Sequence, residues 1–427
     1  MISDKDSQVV VSGLGFISSI GNSRQEVTGS LLDLRHGFEK VEFLENPDIP
    51  IRLAGTIKGF QVDSPFYQQW KWPDGYILPK ELIRSMPPHG VYAFCALSQA
   101  LNDAGIVSES MREDSRTALF CASAGSPFLL GHHLSEMRRN RGMRGSPFGV
   151  VSTISGTLNF NLGAHFGIRG GNCGFVSACA SSTHAIGYAW DQIRLGRVDR
   201  VIVIGAEDLN AESVLPFAAM RALSQQSDPR LASCPFDRKR SGFVASGGAV
   251  ALVLESSLSA ASRGATPYGV IEGWFQTSDG YNPAISDPEG RGIESCMRSL
   301  LDATSTSLDE ITYLNAHATS TVQGDQSEAR AITRVFSDAK VFPWVSSTKA
   351  LTGHPLSMSG AMETAFCLLA AKEGFVPGSA HLDEPDPAAE SLRFPKETIR
   401  QEVPLILKNS SGFGGSNVSL LIRPWNR

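Results

Sequence analysis

Residues 175–187 read FVSACASSTHAIG. A short apolar run stops, a cysteine follows, and very small residues lead into helical spacing that ends at Gly196. RVIVIGAE (Arg200–Glu207) comes next and reads as a buried strand. The local order is therefore strand, cysteine, helix, strand. A thiol at such a turn faces the positive end of the helix dipole and the first free amides, and both favour thiolate. An inert buried thiol fits the same residues. Partners elsewhere in the chain have to decide between the two.

Working outward, the alternation continues. VVVSGLGFIS (Val9–Ser18) reads as a strand with a Gly-rich turn, and Val91, Phe94, Leu97 and Leu101 share one helical face before DAGI stops it. TALFCAS (Thr117–Ser123) and GGAVALVLE (Gly247–Glu255) are short apolar runs bounded by Gly or charge. A polar stretch of small residues then precedes VIEGWFQTS, which places a boundary near Leu258 between halves 1–258 and 259–427. The second half repeats the pattern with EITYLNAHATST, DQSEARAITRVF, FPWVSSTKA, a helix from Ser359 and a last strand SNVSLLI. Strands and helices alternating in both halves predict α/β layering.

Composition removes several function classes. The 427 residues are 42% hydrophobic and 19% charged with a net charge of −5, and the chain holds no dense Lys/Arg run, which argues against nucleic-acid binding. No stretch approaches the roughly 20 apolar residues of a membrane span. The polar start MISDKDSQ has no signal-peptide core. Seven scattered cysteines, odd in number and without a Cys-x-x-Cys pair, exclude zinc-ribbon and disulfide scaffolds and point to a reducing cytoplasm.

Three further segments carry chemistry. NAHATSTVQGD puts His317 directly after a strand, followed by Thr319, Ser320 and Thr321. SSTKALTGHPLSMSGAMETAFCLLAA supplies Lys349 and His354 ahead of an apolar helix that contains one carboxylate, Glu363. A buried unpaired carboxylate costs several kcal/mol, so Glu363 either faces solvent or meets a cation, for which Lys349 is the candidate. NSSGFGGSNVSLLI is a Gly-rich turn whose backbone amides can face an oxyanion, or it simply reverses the chain. A phosphate loop is excluded because no Gly-Lys-Ser/Thr pattern occurs.

Together these segments resemble the elongating β-ketoacyl-acyl-carrier-protein (ACP) synthases. Ser177–Ala180 matches the family's Ser-Ala-Cys-Ala, and Asn315–Thr321 matches Asn-x-His-Gly-Thr-Ser-Thr except at Ala318. Ser347–His354 matches Ser-Thr-Lys-x-x-Thr-Gly-His, and Gly412–Asn417 matches Gly-Phe-Gly-Gly-x-Asn. The likeness runs from Val9 to about Ile422 and is nearer to synthase I than to synthase II.

The resemblance implies a thiolase fold of two related halves in an α-β-α-β-α sandwich. It implies no bound cofactor and no metal, substrates carried on the 4′-phosphopantetheine of ACP, and a homodimer or a heterodimer with a related ketosynthase-like subunit. By the same likeness Cys179 is the nucleophile, His317 and His354 stabilise an enolate, and Lys349 with Glu363 supports His317. Phe413 gates the site and shares an oxyanion hole with Cys179. Thr319, Thr321, Phe243, Gly412 and Gly414 meet the substrate, and Gly125 sets acyl depth, its smallness leaving room for a longer chain. Lys80, Arg84, Arg138, Arg139, Arg141 and Arg144 form the expected basic dock for the acidic carrier.

Departures from the family pattern are Ala318, Ser241, Ser411 and LSMSGA (Leu356–Ala361). None removes a catalytic group, but they alter pocket packing and suggest a specialised lipid or polyene pathway. The competing readings are a non-catalytic chain-length-factor-like partner, a thiolase or synthase III-type enzyme, and a cysteine protease. The first lacks the nucleophile. Thiolases need a second catalytic cysteine, and synthase III carries asparagine where His354 stands. A protease would have no motif around its histidine.

Overall fold

The computed structural model describes residues 8–44, 48–112, 114–142 and 145–425. One ten-stranded sheet organises the chain. Its first five strands are β1 (Val9–Ile17), β2 (Thr117–Ala122), β3 (Asn172–Phe175), β4 (Arg200–Glu207) and β5 (Gly248–Ser256). The next five are β6 (Gly269–Ser278), β7 (Tyr313–Asn315), β8 (Trp344–Ser346), β9 (Ile406–Gly412) and β10 (Ser416–Pro424). Read across, the order is β8-β7-β9-β10-β6-β1-β5-β4-β2-β3.

Each half runs first, fifth, fourth, second, third, and the strand directions match as well. β1–β5 and β5–β4 are antiparallel while β4–β2 and β2–β3 are parallel. β6–β10 and β10–β9 are antiparallel while β9–β7 and β7–β8 are parallel. A short antiparallel pairing of Val9–Val11 with Gly269–Ile271 joins the halves. The two halves thus share one topology.

Side-chain alternation builds the layers. Val201, Val203, Val250, Leu252 and Leu254 point into the core between the halves, and Ile202, Ile204, Ala249, Ala251 and Val253 point the other way. In the second half Tyr313, Ile406 and Leu420 face inward, and Leu314, Leu407 and Leu421 face outward. This period of two is what a sheet buried on both faces requires. Helix α1 (Pro88–Asp103) covers the outer face of the first half, and α2 (Pro127–Arg139) and α3 (Thr157–Phe166) lie in the connection before β3. Between the halves α4 (Ser181–Arg194) packs on the later helix Ser359–Glu373, and both touch strands of both halves. Helix α5 (Ala211–Ala219) lies on the excursion between β4 and β5. Outside the second half lie α6 (Arg291–Thr304) and α7 (Val322–Val335). Short α8 (Lys349–Thr352) then leads to α9 (Ser359–Glu373), the second inner helix. The five layers are those of the thiolase fold.

One expectation changes here. The VVVSGLGFIS segment contains no turn, because β1 runs unbroken to Ile17 with a register shift between Val11 and Gly13. Its glycines instead admit α1: a Cβ on Gly15 would lie 1.9 Å from the Ala96 carbonyl oxygen. The small residues after Cys179 serve packing in the same way. The Ser182 hydroxyl accepts from the Ala361 amide, and a Cβ on Gly360 would lie 1.9 Å from Thr183 Oγ1. They let α4 and α9 cross closely.

Candidate active site

Cys179 sits on a strained elbow. Ala178 has φ +50°, a left-handed conformation that costs an L-residue about 1–2 kcal/mol. The Ser181 hydroxyl pins the elbow, accepting from the Ser177 amide at 2.8 Å and donating to the Ala178 carbonyl at 2.6 Å. The thiol is thereby held two residues ahead of α4. It is nearly buried, and burial pushes it up to about 12 against the pull of Lys349 and a backbone amide. At neutral pH the resting group is therefore a thiol. The thiolate that the helix dipole alone suggests is outweighed by desolvation.

Two imidazoles converge on the sulfur. His354 Nε2 lies 3.0 Å from Cys179 Sγ. His317 stands beside His354 with ring centroids 5.5 Å apart and planes at 83°. One nitrogen of each ring and Sγ fall within 4.8 Å of one another. Burial and the nearby Lys349 hold both rings well below the usual histidine range, so both are neutral. This trio is also the group, among the described residues, whose donor atoms are close enough for a metal ion. Lys349 Nζ, 3.4 Å behind His317 Nδ1, opposes a cation there.

His317 follows β7, and the N-terminal part of α7 fixes its loop. Glu328 accepts from the His317 and Ala318 amides at 2.9 and 2.7 Å and from Asn409 at 3.2 Å. Lys349 donates to the His317 carbonyl at 2.6 Å and forms an ion pair with the fully buried Glu363. Glu363 has a second cation, Lys408 of β9, at 3.2 Å. Lys408 also donates to Thr183 at 3.2 Å and to Ser410, and burial lowers its pKa. One carboxylate thus lies between two buried lysines. Sequence reasoning missed Lys408 and Glu328. A lysine inside the apolar run LILKNSS was the available signal for the first.

Cys179, His317, His354 and Glu328 line a cavity of about 380 Å3. Its walls include Phe243, Thr319, Thr321, Gly412 and Phe413, with Thr319 and Thr321 hydroxyls 3.0 Å apart. The rings of Phe413, Phe217, Phe243 and His354 form a chain with successive centroids 6.0, 5.5 and 5.1 Å apart. Phe413 is partly exposed, 38%, and the adjacent Gly414 and Gly415 have φ +80° and +77°, which a turn this tight between β9 and β10 requires. Gly412 packs against the Cys179 and Ala180 amides, each 3.1 Å from where its Cβ would be.

Gly125 does not line this cavity. Its φ is +82°, and a Cβ there would lie 2.4 Å from the Thr153 carbonyl oxygen. Its smallness admits the chain's own backbone. Lys80 and Arg84 are exposed at the short helix Lys80–Ile83, and Arg138, Arg139 and Arg141 are exposed at the end of α2. Arg84 shares a groove with Glu136 and Asn140, and Arg139 pairs with Glu136 at 2.8 Å. Arg144 lies outside the described residues. No helix among the described residues is long and apolar enough to cross a membrane.

Comparison with known proteins agrees with this geometry. Residues 6–260 match the family model "Beta-ketoacyl synthase, N-terminal domain" and residues 268–383 match its C-terminal counterpart. The chain is 36% identical over 420 residues to 3-oxoacyl-[acyl-carrier-protein] synthase 1 of Escherichia coli strain K12, covering 97% of this chain and 98% of that protein. Among solved structures, a β-ketoacyl synthase from Burkholderia phymatum superposes with TM-score 0.87 at 28% identity, covering 98% of this chain and all of that one. The ishigamide ketosynthase/chain length factor gives 0.86 at 26% identity with the same coverage. The chain belongs to the β-ketoacyl synthase family, acyltransferases of thiolase fold that perform condensation in fatty-acid or polyketide synthesis.

Proposed function

We propose that Cys179 accepts an acyl group from acyl-ACP and that a malonyl-ACP-derived enolate then attacks it to give β-ketoacyl-ACP. The observation that carries this reading is the convergence of the Cys179 sulfur and two neutral imidazoles on the wall of one cavity. Sγ attacks the thioester carbonyl, and the oxyanion is held by the amides of Cys179 and Phe413. Malonyl-ACP next enters, with Thr319 and Thr321 bonding the phosphopantetheine arm. Loss of CO2 leaves negative charge on the thioester oxygen, facing His317 and His354. Removing one such donor typically slows the step by about 100–1000-fold. The enolate carbon attacks the acyl-cysteine and Sγ leaves.

Lysine has only donors, so Lys349 behind Nδ1 leaves the His317 proton on Nε2, the form that can donate. Phe413, partly exposed at the end of the ring chain, separates the two stages by moving. The halves divide near Leu258, the first bringing the nucleophile and the second the enolate-stabilising groups. Arg84, Lys80 and the arginines ending α2 receive the carrier. β3 ends the sheet, with exposed Val176 just after it and exposed Phe160 on the α3 helix packed beside it, and an open edge of this kind is normally covered. A second copy or a related ketosynthase-like chain fits there, and the setting is cytoplasmic.

The test is to incubate the protein with acyl-ACPs of graded chain length and map the modified peptide by mass. Acylation at Cys179 is expected, with CO2 release from malonyl-ACP abolished and loading retained in His317→Ala. Modification at a different cysteine, or undiminished CO2 release from that variant, would overturn the reading.

A further inference from the structure

The two catalytic imidazoles are backed differently. His317 Nδ1 faces the Lys349 ammonium, which can only donate, so this ring is confined to one tautomer. His354 Nδ1 instead lies 3.0 Å from the hydroxyl of Ser359, the first residue of α9. Ser359 is completely buried. A hydroxyl both donates and accepts, and which ring nitrogen carries the proton is set by the partner of the other. Ser359 therefore permits His354 two states: Nε2–H pointing at the sulfur, or Nδ1–H donating to Oγ with a free Nε2 lone pair toward the thiol.

The second state answers a need that the site creates. The buried thiol keeps its proton at neutral pH, so acylation must place that proton somewhere. His354 Nε2, 3.0 Å away, is the group in hydrogen-bonding contact with it.

We infer that Ser359 is a positioning residue that makes His354 a general base during acyl loading and a hydrogen-bond donor during condensation, whereas His317 only donates. This rests on the proposed condensation. In loading, Nε2 takes the thiol proton as Sγ bonds to the thioester carbonyl carbon, and the Nδ1–H bond to Oγ stabilises the transient imidazolium. The carbonyl carbon to pantetheine sulfur bond then breaks, and the leaving sulfur takes the proton back from Nε2. The products are acyl-cysteine and free pantetheine thiol, with no net proton change. Before condensation the ring exchanges its proton through solvent water, and the Ser359 hydroxyl rotates to donate to Nδ1.

The test compares wild type, Ser359→Ala and Ser359→Thr in two half-reactions: single-turnover acylation of Cys179 by acyl-ACP, and CO2 release from malonyl-ACP. A pH profile of Cys179 alkylation accompanies them. His317, Lys349, Glu363 and Glu207 are the other ionisable groups around the sulfur, and all stay in place in every variant. Ser359→Ala is expected to slow acylation and CO2 release each by about 10-fold or more, within the range of a lost general-base or donor contribution. Its alkylation profile should move to higher pH, and Ser359→Thr should restore both rates.

Acylation of Ser359→Ala at the wild-type rate would overturn the inference, and so would a loss confined to CO2 release, which marks Ser359 as a fixed donor to Nδ1. A threonine variant with native circular dichroism and melting but no rescue would overturn it too. Wild type that fails to acylate at all would instead sink the condensation reading.

Discussion

The two halves share strand order and direction but differ in the loops that connect equivalent strands. In the first half β4 reaches β5 through residues 208–247, an excursion holding α5, Phe217, Arg240 and Phe243. In the second half β9 reaches β10 through Phe413–Gly415 alone. The inner helices also diverge. The start of α4 presents a thiol and buries hydroxyls, while α9 buries a carboxylate between two lysines. One fold unit used twice supplies equivalent positions, and what stands at each position decides the chemistry. The long excursion walls the cavity with rings, and the tight turn brings its backbone against the cysteine.

The sharpest way to break this contrast is at Glu363. Glu363→Gln leaves Lys349 and Lys408 buried and facing each other, and should destabilise the protein by about 3–5 kcal/mol, the cost of breaking a buried pair. Denaturant unfolding measures it. Adding Lys408→Met to that variant should recover part of the loss, because one uncompensated cation goes. If Glu363→Gln unfolds like wild type, the charge cluster of the second half has no structural weight.

The helix crossing is the next target. Gly360→Ala forces a Cβ into Thr183 and should cost about 1–3 kcal/mol, with a lower melting temperature. Gly131→Ala on α2 meets nothing within 4 Å and should instead gain up to about 1 kcal/mol from helix propensity. Opposite signs from one chemical change would separate the inner layer from the outer surface. The smallest effect is expected at the dock. Arg84→Ala and Arg139→Ala remove exposed charges worth about 1 kcal/mol or less each. Each should raise KM for acyl-ACP a few-fold at low salt, leave kcat unchanged, and merge with wild type at high salt.

Much of the plan was legible along the chain. Short apolar runs between Gly and charge marked β2, β4 and β5, since a strand buried on both faces needs apolar residues throughout. Cys179 at a helix start, His317 after a strand and Lys349 before an apolar helix followed from local order. Glu363 was readable as a residue in need of a cation, yet nothing local pointed to Lys408. Gly125 and the glycines of β1 were read as openness or turning, and what occupies their space is backbone from residues far along the chain.

By itself the sequence determined the alternation of strands and helices and where Cys179, His317 and Lys349 stand relative to them, because periodicity and capping act between near neighbours. Only the tertiary structure decided that the halves join through β1 and β6, that Glu363 has two lysines, and that Ser359 faces His354. Those depend on which distant surfaces come within a few ångströms once the inner helices are packed, a geometry no short stretch of chain contains.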